Sequence, residues 1–337
     1  TFMKVKSTGL FMPLESLIPF DSTAKYELGF EFDTIGGFTM CQKYVSKEVK
    51  NKVTSNKLAK ISEYPTFEKH VDSEQFKYKV ANIQKGDIIY FHNKRHGTSQ
   101  RVAKKRQVIK LPRWKRVVNK IVPIFKDKTD YKLVVGTRNV VLQDEDNEGF
   151  HGSEQFRFDI ARLLEPYLED GMCFYLEVVG YANNKPIMPV GDVTALKDKR
   201  YTSKYGNTNK FHYGCLEFEN DYHIYRITRE DVNGNNIDMS QKEMEMWCLD
   251  RGLNCTYEVH PPIIYNRDEQ YLRELVEKLT EREEELSADW QFPDMVGEGI
   301  ILRIEGEGNR PTFLKSKSYA FKVMEGIQEA DDMETTS

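Results

Sequence analysis

The sequence predicts a mixed fold of strands and helices in which strands dominate. Two observations carry this. Apolar runs of strand length recur along the chain, in residues 88–91, 131–141, 172–180, 222–228 and 298–303. Helical period is confined to residues 153–169, 240–252 and a run from Leu272 to Leu286.

The opening, residues 1–47, is rich in glycine and aromatics. It has short strand-like runs at Gly9-Leu10-Phe11-Met12 and Phe38-Thr39-Met40-Cys41, so it reads as β-rich. Residues 2–19 read as the end of a domain, which implies a segment before Thr1. The lysine-rich stretch 46–60 reads as a linker or solvated face. The run Ile88-Ile89-Tyr90-Phe91 is a strand that leads into Lys94-Arg95-His96-Gly97-Thr98-Ser99. A lysine therefore stands where a strand ends and a glycine turn begins, a place where backbone can approach a phosphate and a lysine can face it.

Basic residues then crowd together at Arg101, Lys104, Lys105, Arg106, Lys110, Arg113, Lys115, Arg116 and Lys120, interleaved with Trp114 and aliphatics. Such a mixture suits a groove that tracks a nucleic-acid backbone, and equally a surface hairpin. The 131–141 strand is broken by Gly136-Thr137-Arg138-Asn139. In residues 153–169, Phe156, Ile160, Leu163, Leu164 and Tyr167 recur at helical spacing, as in a core-packing helix. Glu177 interrupts the apolar strand 172–180, and a carboxylate there is costly to bury without a partner. Residues 197–223 read as a long polar loop, and Val232-Asn233-Gly234-Asn235 as a hairpin turn. Ser240 and Glu243 form a capping box for the next helix. Near the end, Glu298 precedes an apolar strand, and Lys315 and Lys317 share one strand face. Two like charges on one face repel unless a polyphosphate or carboxylates lie between them.

Composition narrows the class. Hydrophobic residues make up 39% and charged residues 30%, which is ordinary for a globular protein. The net charge of −4 gives no global basic field, so nucleic-acid contact must come from a local patch. No run is long and apolar enough for a bilayer, so no membrane partner is expected, and no protein partner is evident. The five cysteines are scattered without zinc-ligand spacing, which points to reduced thiols and a cytoplasmic location.

Taken in order, these stretches resemble the ATP-dependent RNA ligases of the lysyl-AMP nucleotidyltransferase superfamily. Lys94-Arg95-His96-Gly97 resembles their K-x-(D/H/N)-G motif. The strand containing Arg138, the strand Phe174-Tyr175-Leu176-Glu177, the run Glu298-Gly299-Ile300-Ile301-Leu302-Arg303 and the pair Lys315-Ser316-Lys317 resemble the motifs that follow, and the resemblance covers residues 64–322. Val5 to Leu14 resembles the end of the OB module of the nick-sealing branch.

The resemblance implies an α+β nucleotidyltransferase domain of antiparallel sheets flanked by helices, over residues 61–326. A β-rich segment (1–60) precedes it and an acidic tail (327–337) follows. It implies Lys94 as nucleophile, with Lys315 and Lys317 as catalytic and nucleotide-binding cations. Asn93, Ser99, Arg138, Phe174 (stacking on adenine) and Glu177 complete the nucleotide site, and Glu298 with Glu177 holds the metal. ATP is the implied substrate, magnesium or manganese the implied metal, and RNA ends or a nicked duplex the partner. Arg101, Lys104, Lys105 and Arg106 are the candidate RNA contacts. Two departures stand out: Leu176 replaces the family's glycine before the glutamate, and Asn93 replaces a glutamate before the lysine. A DNA ligase, a GTP-using capping enzyme and a non-catalytic nucleic-acid-binding module are the alternatives.

Overall fold

The computed structural model describes residues 13–21, 34–35, 38–40, 64, 66–109, 111–112, 114–115, 118, 128–142, 148–149, 152–284, 292–308 and 310–327. The chain divides into two units, Thr1–Lys57 and Leu58–Ser337. In the first, Thr34–Ile35 and Phe38–Thr39 pair as an antiparallel hairpin, with the Phe38 ring edge-on to Phe20 at 5.7 Å. The candidate OB remnant, the lysine-rich linker and the acidic tail from Glu329 lie almost wholly outside the described residues.

The second unit is built on two sheets. The larger runs through β3 (Thr98–Ile109), β4 (Lys128–Thr137), β5 (Val141–Leu142), β6 (Cys173–Ala182), β7 (Asn220–Glu230) and β8 (Asn236–Asp238), in the order β8-β7-β6-β3-β4-β5. The pair Lys185–Pro186 adds to the end of β6. The smaller sheet has the order β9-β2-β10-β11-β1, with β1 (Glu74–Gln75), β2 (Ile88–Asn93), β9 (Glu258–Ile264), β10 (Gly299–Glu305) and β11 (Thr312–Lys317). Every pairing in both sheets is antiparallel except β11 with β1. This is the α+β architecture that the resemblance implies.

Each sheet buries one face under helices, as period-two strands require. On the larger sheet, Val102, Phe174, Leu176, Val178 and Ile227 pack against Phe156, Ile160 and Leu164 of α2 (Gln155–Leu164) and Met244 and Cys248 of α4 (Gln241–Arg251); α1 is Phe76–Lys79 and α3 is Lys199–Tyr205. On the smaller sheet, Ile89, Phe91, Ile300, Leu302 and Leu314 meet Leu272, Val276 and Leu279 of α5 (Glu269–Glu284). The α2 helix ends where Pro166, lacking an N–H, enters a single 3-10 turn at Glu165–Tyr167. The Ser240–Glu243 capping box forms as the sequence predicts, and Gly252 closes α4 in the left-handed conformation.

One local expectation is corrected. The stretch 197–223 is not a continuous loop, because α3 forms inside it. Asp198 caps this helix by accepting from Arg200 N, and Tyr201 and Tyr205, four apart, bury their rings against Val193, Leu196 and Ala320. The tyrosine spacing was the available signal, and the polar composition around it obscured it.

Candidate active site

The crossing from the smaller sheet to the larger is the segment 94–97, between β2 and β3. Its backbone is tied to both sides: Lys94 N donates to Gly299 O at 2.8 Å, and His96 N donates to the Tyr213 hydroxyl at 2.6 Å. Gly97 lies flat against β6, where a Cβ would sit 2.3 Å from Val178 O and 3.0 Å from Glu177 Cγ. Gly299 has φ +124°, and a Cβ there would come within 2.2 Å of Ser316 O. Both glycines are thus demanded by close backbone approach. Gly97→Ala is expected to cost about 1–3 kcal/mol of stability, read by urea unfolding, and to displace the Lys94 turn. An unchanged midpoint would contradict that packing.

The turn brings Lys94 onto Glu298. Lys94 Nζ lies 2.9 Å from Glu298 Oε1, and Lys317 Nζ lies 3.3 Å from the same oxygen. Glu298 is 1% exposed. Burial pushes its carboxyl upward, but Lys94, His96 and Lys317 outweigh that and hold it below the ordinary carboxylate range. Its other oxygen, Oε2, has no hydrogen-bond partner among the described residues. Across the turn, Ser99 Oγ donates to Glu177 Oε2 at 3.1 Å. Burial lifts the Glu177 carboxyl above its usual range, Lys94 opposes the shift, and the Glu298 charge adds to it. Lys315 is lowered by burial, then by the positive charges of Lys94, Lys317 and Arg138. A cluster of cations facing two carboxylates is therefore preformed, and it is built to receive a group rich in negative oxygen.

The fold thus gathers Lys94, Ser99, Glu177, Glu298, Lys315 and Lys317 from both sheets. Arg138 stands at the turn after β4, ion-paired to Asp72 and half-exposed. Asn93 is buried, and its side-chain oxygen has no hydrogen-bond partner among the described residues. Phe174 is corrected. It stands three residues from Glu177 on the same strand, so it points to the opposite face, and it is fully buried beneath α2 in the core. On the Glu177 side stand Tyr175, two residues away and 1% exposed, and the less buried Tyr225 of β7. Tyr225 packs with Phe67 and Tyr175, its hydroxyl lies 2.6 Å from His70 Nδ1, and its phenol feels the Glu177 charge. Counting strand parity from Glu177 excludes Phe174, but it does not reach Tyr225, since β6 slips register against β7 between Tyr175 and Leu176.

The basic stretch is corrected as well. Arg101 and Lys105 are fully buried on one face of β3. The Arg101 guanidinium donates to Thr137 O at 2.8 Å and Val140 O at 3.2 Å, and lies 4.2 Å from the centre of the Phe67 ring. Lys105 Nζ is held by Gly171 O at 2.7 Å, Glu230 Oε1 at 3.0 Å and Asn236 Oδ1 at 2.6 Å. Lys104 pairs with Asp170 at 2.8 Å, and Arg106 lies over the Tyr131 ring. Neighbours in sequence are not neighbours on a face, so these four form no common groove. Lys110, Arg113, Arg116 and Lys120 lie outside the described residues. Lys105→Ala, which removes the buried cation paired with Glu230 and leaves Thr66 Oγ1 as a donor to it, is expected to cost about 3–5 kcal/mol by urea unfolding. The pair Lys104→Ala and Arg106→Ala should change stability by no more than about 0.5 kcal/mol each.

Among the described residues no group of three His, Cys, Asp or Glu side chains is arranged to hold a metal, and no helix is long and apolar enough to cross a membrane. A free buried oxygen on Glu298 with Glu177 nearby does suit a divalent ion that takes its remaining ligands from phosphate and water, as magnesium does.

No family model matches the sequence, and no curated protein matches it. Solved structures do match. A Naegleria gruberi RNA ligase with PPi superposes at TM-score 0.50 and 14% identity, covering 95% of this chain and 73% of that one. An apo mutant of the same ligase gives 0.51 and 15% over the same shares, and a mutant with ATP and Mn gives 0.50 and 14% over 94% and 72%. Against another structure of that ligase, this chain spans 58% of the ligase chain. The fold is shared with these structures.

Proposed function

We propose that this chain is an ATP-dependent RNA ligase, joining RNA 3′-OH and 5′-phosphate ends through AMP carried on Lys94. The observation that carries the reading is the shared contact of Lys94 and Lys317 with one buried oxygen of Glu298, at the crossing between the two sheets. The fold supports it, since the matching Naegleria structures are of an RNA ligase with PPi or with ATP and Mn.

The chemistry follows from the residues. In the free protein Lys94 is held as an ammonium in an ion pair, so it must turn from Glu298 and release a proton to solvent before its amine can attack. Glu298 and Glu177 would hold a magnesium or manganese ion, which when bound would supply charge neutralisation at the phosphate oxygens. Lys94 Nζ then attacks the α-phosphorus of ATP. A nitrogen–phosphorus bond forms, the bond to the bridging oxygen breaks, and pyrophosphate leaves. Lys315 and Lys317 face the charge that builds on the phosphoryl oxygens. Glu177, anchored by Ser99, is placed to hold a ribose hydroxyl, and Tyr225 offers an aromatic surface on the same side. An RNA 5′-phosphate oxygen next attacks the carried AMP and releases Lys94. Finally the 3′-OH attacks the 5′-phosphorus, the phosphodiester bond forms and AMP departs.

The test is incubation with α-labelled ATP and a divalent ion, followed by gel analysis and by joining of 5′-phosphorylated RNA strands. Covalent label and joined RNA are expected. RNA binding without label would favour a non-catalytic module, and label from GTP alone would favour the capping chemistry.

A further inference from the structure

The helix that follows Lys317, α6 (Tyr319–Met324), is fastened to the catalytic strand at its first turn. Ser318 caps it, accepting from Phe321 N at 3.3 Å, while Ser318 N donates to Glu298 O at 2.9 Å and Ser318 Oγ donates to Gly297 O at 2.8 Å. One turn beyond Phe321 stands Glu325, whose backbone N donates to Phe321 O at 3.0 Å. The helix therefore presents Phe321 and the Glu325 carboxylate as a rigid pair, anchored to the backbone of Glu298.

That pair closes on His96. The imidazole edge meets Phe321 at 4.8 Å and Phe211 at 4.6 Å between ring centres. Its Nε2 lies 3.4 Å from Glu325 Oε1, and its Nδ1 lies 3.8 Å from Glu298 Oε2. Aromatics meet the ring's edges, and a carboxylate oxygen stands opposite each nitrogen, neither of them in hydrogen-bond geometry. The Glu298 oxygen it faces belongs to the carboxylate whose other oxygen takes Lys94 and Lys317.

We propose that Glu325 is a positioning residue: it sets the rotation of His96, and through His96 the orientation of Glu298 beneath Lys94. The proposal rests on the reading of Lys94 as the nucleophile. Glu325 is one-third exposed, and its hold on the helix is through its backbone, so its side chain can be changed without removing a core contact. A carboxylate facing the ring's second nitrogen is a common means of fixing the rotation of such imidazoles.

The experiment measures the rate of Lys94 adenylylation at varied ATP. Glu325→Ala is expected to lower the rate constant about tenfold with KM for ATP unchanged. Glu325→Gln, which keeps the side chain's length and an oxygen opposite the ring nitrogen, should restore most of it. In a His96→Ala background, Glu325→Ala should cost nothing further. A rise in KM at constant rate, equal losses in Ala and Gln, or full additivity with His96→Ala would overturn the proposal. Failure of the unmutated protein to label Lys94 would instead refute the ligase reading. In that case the ring-nitrogen NMR shifts of His96 decide: they should move in Glu325→Ala, and unchanged shifts would overturn the positioning role.

Discussion

Lys94→Ala joins no 5′-phosphorylated RNA, yet still seals RNA that already carries the adenylyl group. This is the expected result, and its logic is chemical. Lys94 supplies the only bond in the scheme between protein and nucleotide, and alanine has no nucleophile, so the first step should fall by roughly a thousandfold or more. The closing step needs the cations, the carboxylates and the positioned 5′ end, all of which remain. Loss of both activities would mean that Lys94 holds the site together through Glu298 rather than reacting. Retention of both would remove the covalent step from the account.

The second large effect is at Glu298. It takes part in ion pairs with Lys94 and Lys317 from a buried position, and its remaining oxygen is free of hydrogen-bond partners among the described residues. Glu298→Ala removes the carboxylate that both lysines contact and an oxygen ligand, so activity should fall by at least about a hundredfold. Divalent-ion dependence should fall with it. Glu298→Gln keeps the shape and loses the charge. It should be nearly as poor, because the amide neither balances the lysines nor binds a hard cation well. Full activity in the glutamine variant, measured across a metal titration, would make Glu298 a structural residue only.

How much of this was legible in the sequence differs by element. The Lys94 turn was readable from the apolar run before it and the glycine within it. The strand at 299–305 and the period-two pair Lys315 and Lys317 were readable in the same way. That Lys94 and Glu298 meet was not readable from local pattern, because two hundred residues separate them. Only the order of motifs suggested it.

Two expectations fail on the geometry of a strand. The resemblance implies Phe174 at the nucleotide, and crowding in sequence suggests Arg101 with Lys105 at RNA; neither expectation allows for the alternation of a strand. In a strand, alternate residues part company. Phe174 went to the core face, while Arg101 and Lys105 turned inward to carbonyls and to Glu230. Tyr225 was hidden for a further reason, since a register slip between β6 and β7 lies beside it. Glu325 follows the last recognisable motif and has no pattern of its own. Its relation to His96 appears only once α6 is folded back onto the turn.

The central claim is a covalent bond between Lys94 and AMP. The most direct measurement is mass spectrometry of the protein after incubation with ATP and magnesium or manganese, followed by peptide mapping. The account predicts a mass increase of one adenylyl group, placed on Lys94 and discharged on addition of pyrophosphate. An unmodified protein, or an adenylyl group mapped to any other residue, would contradict it.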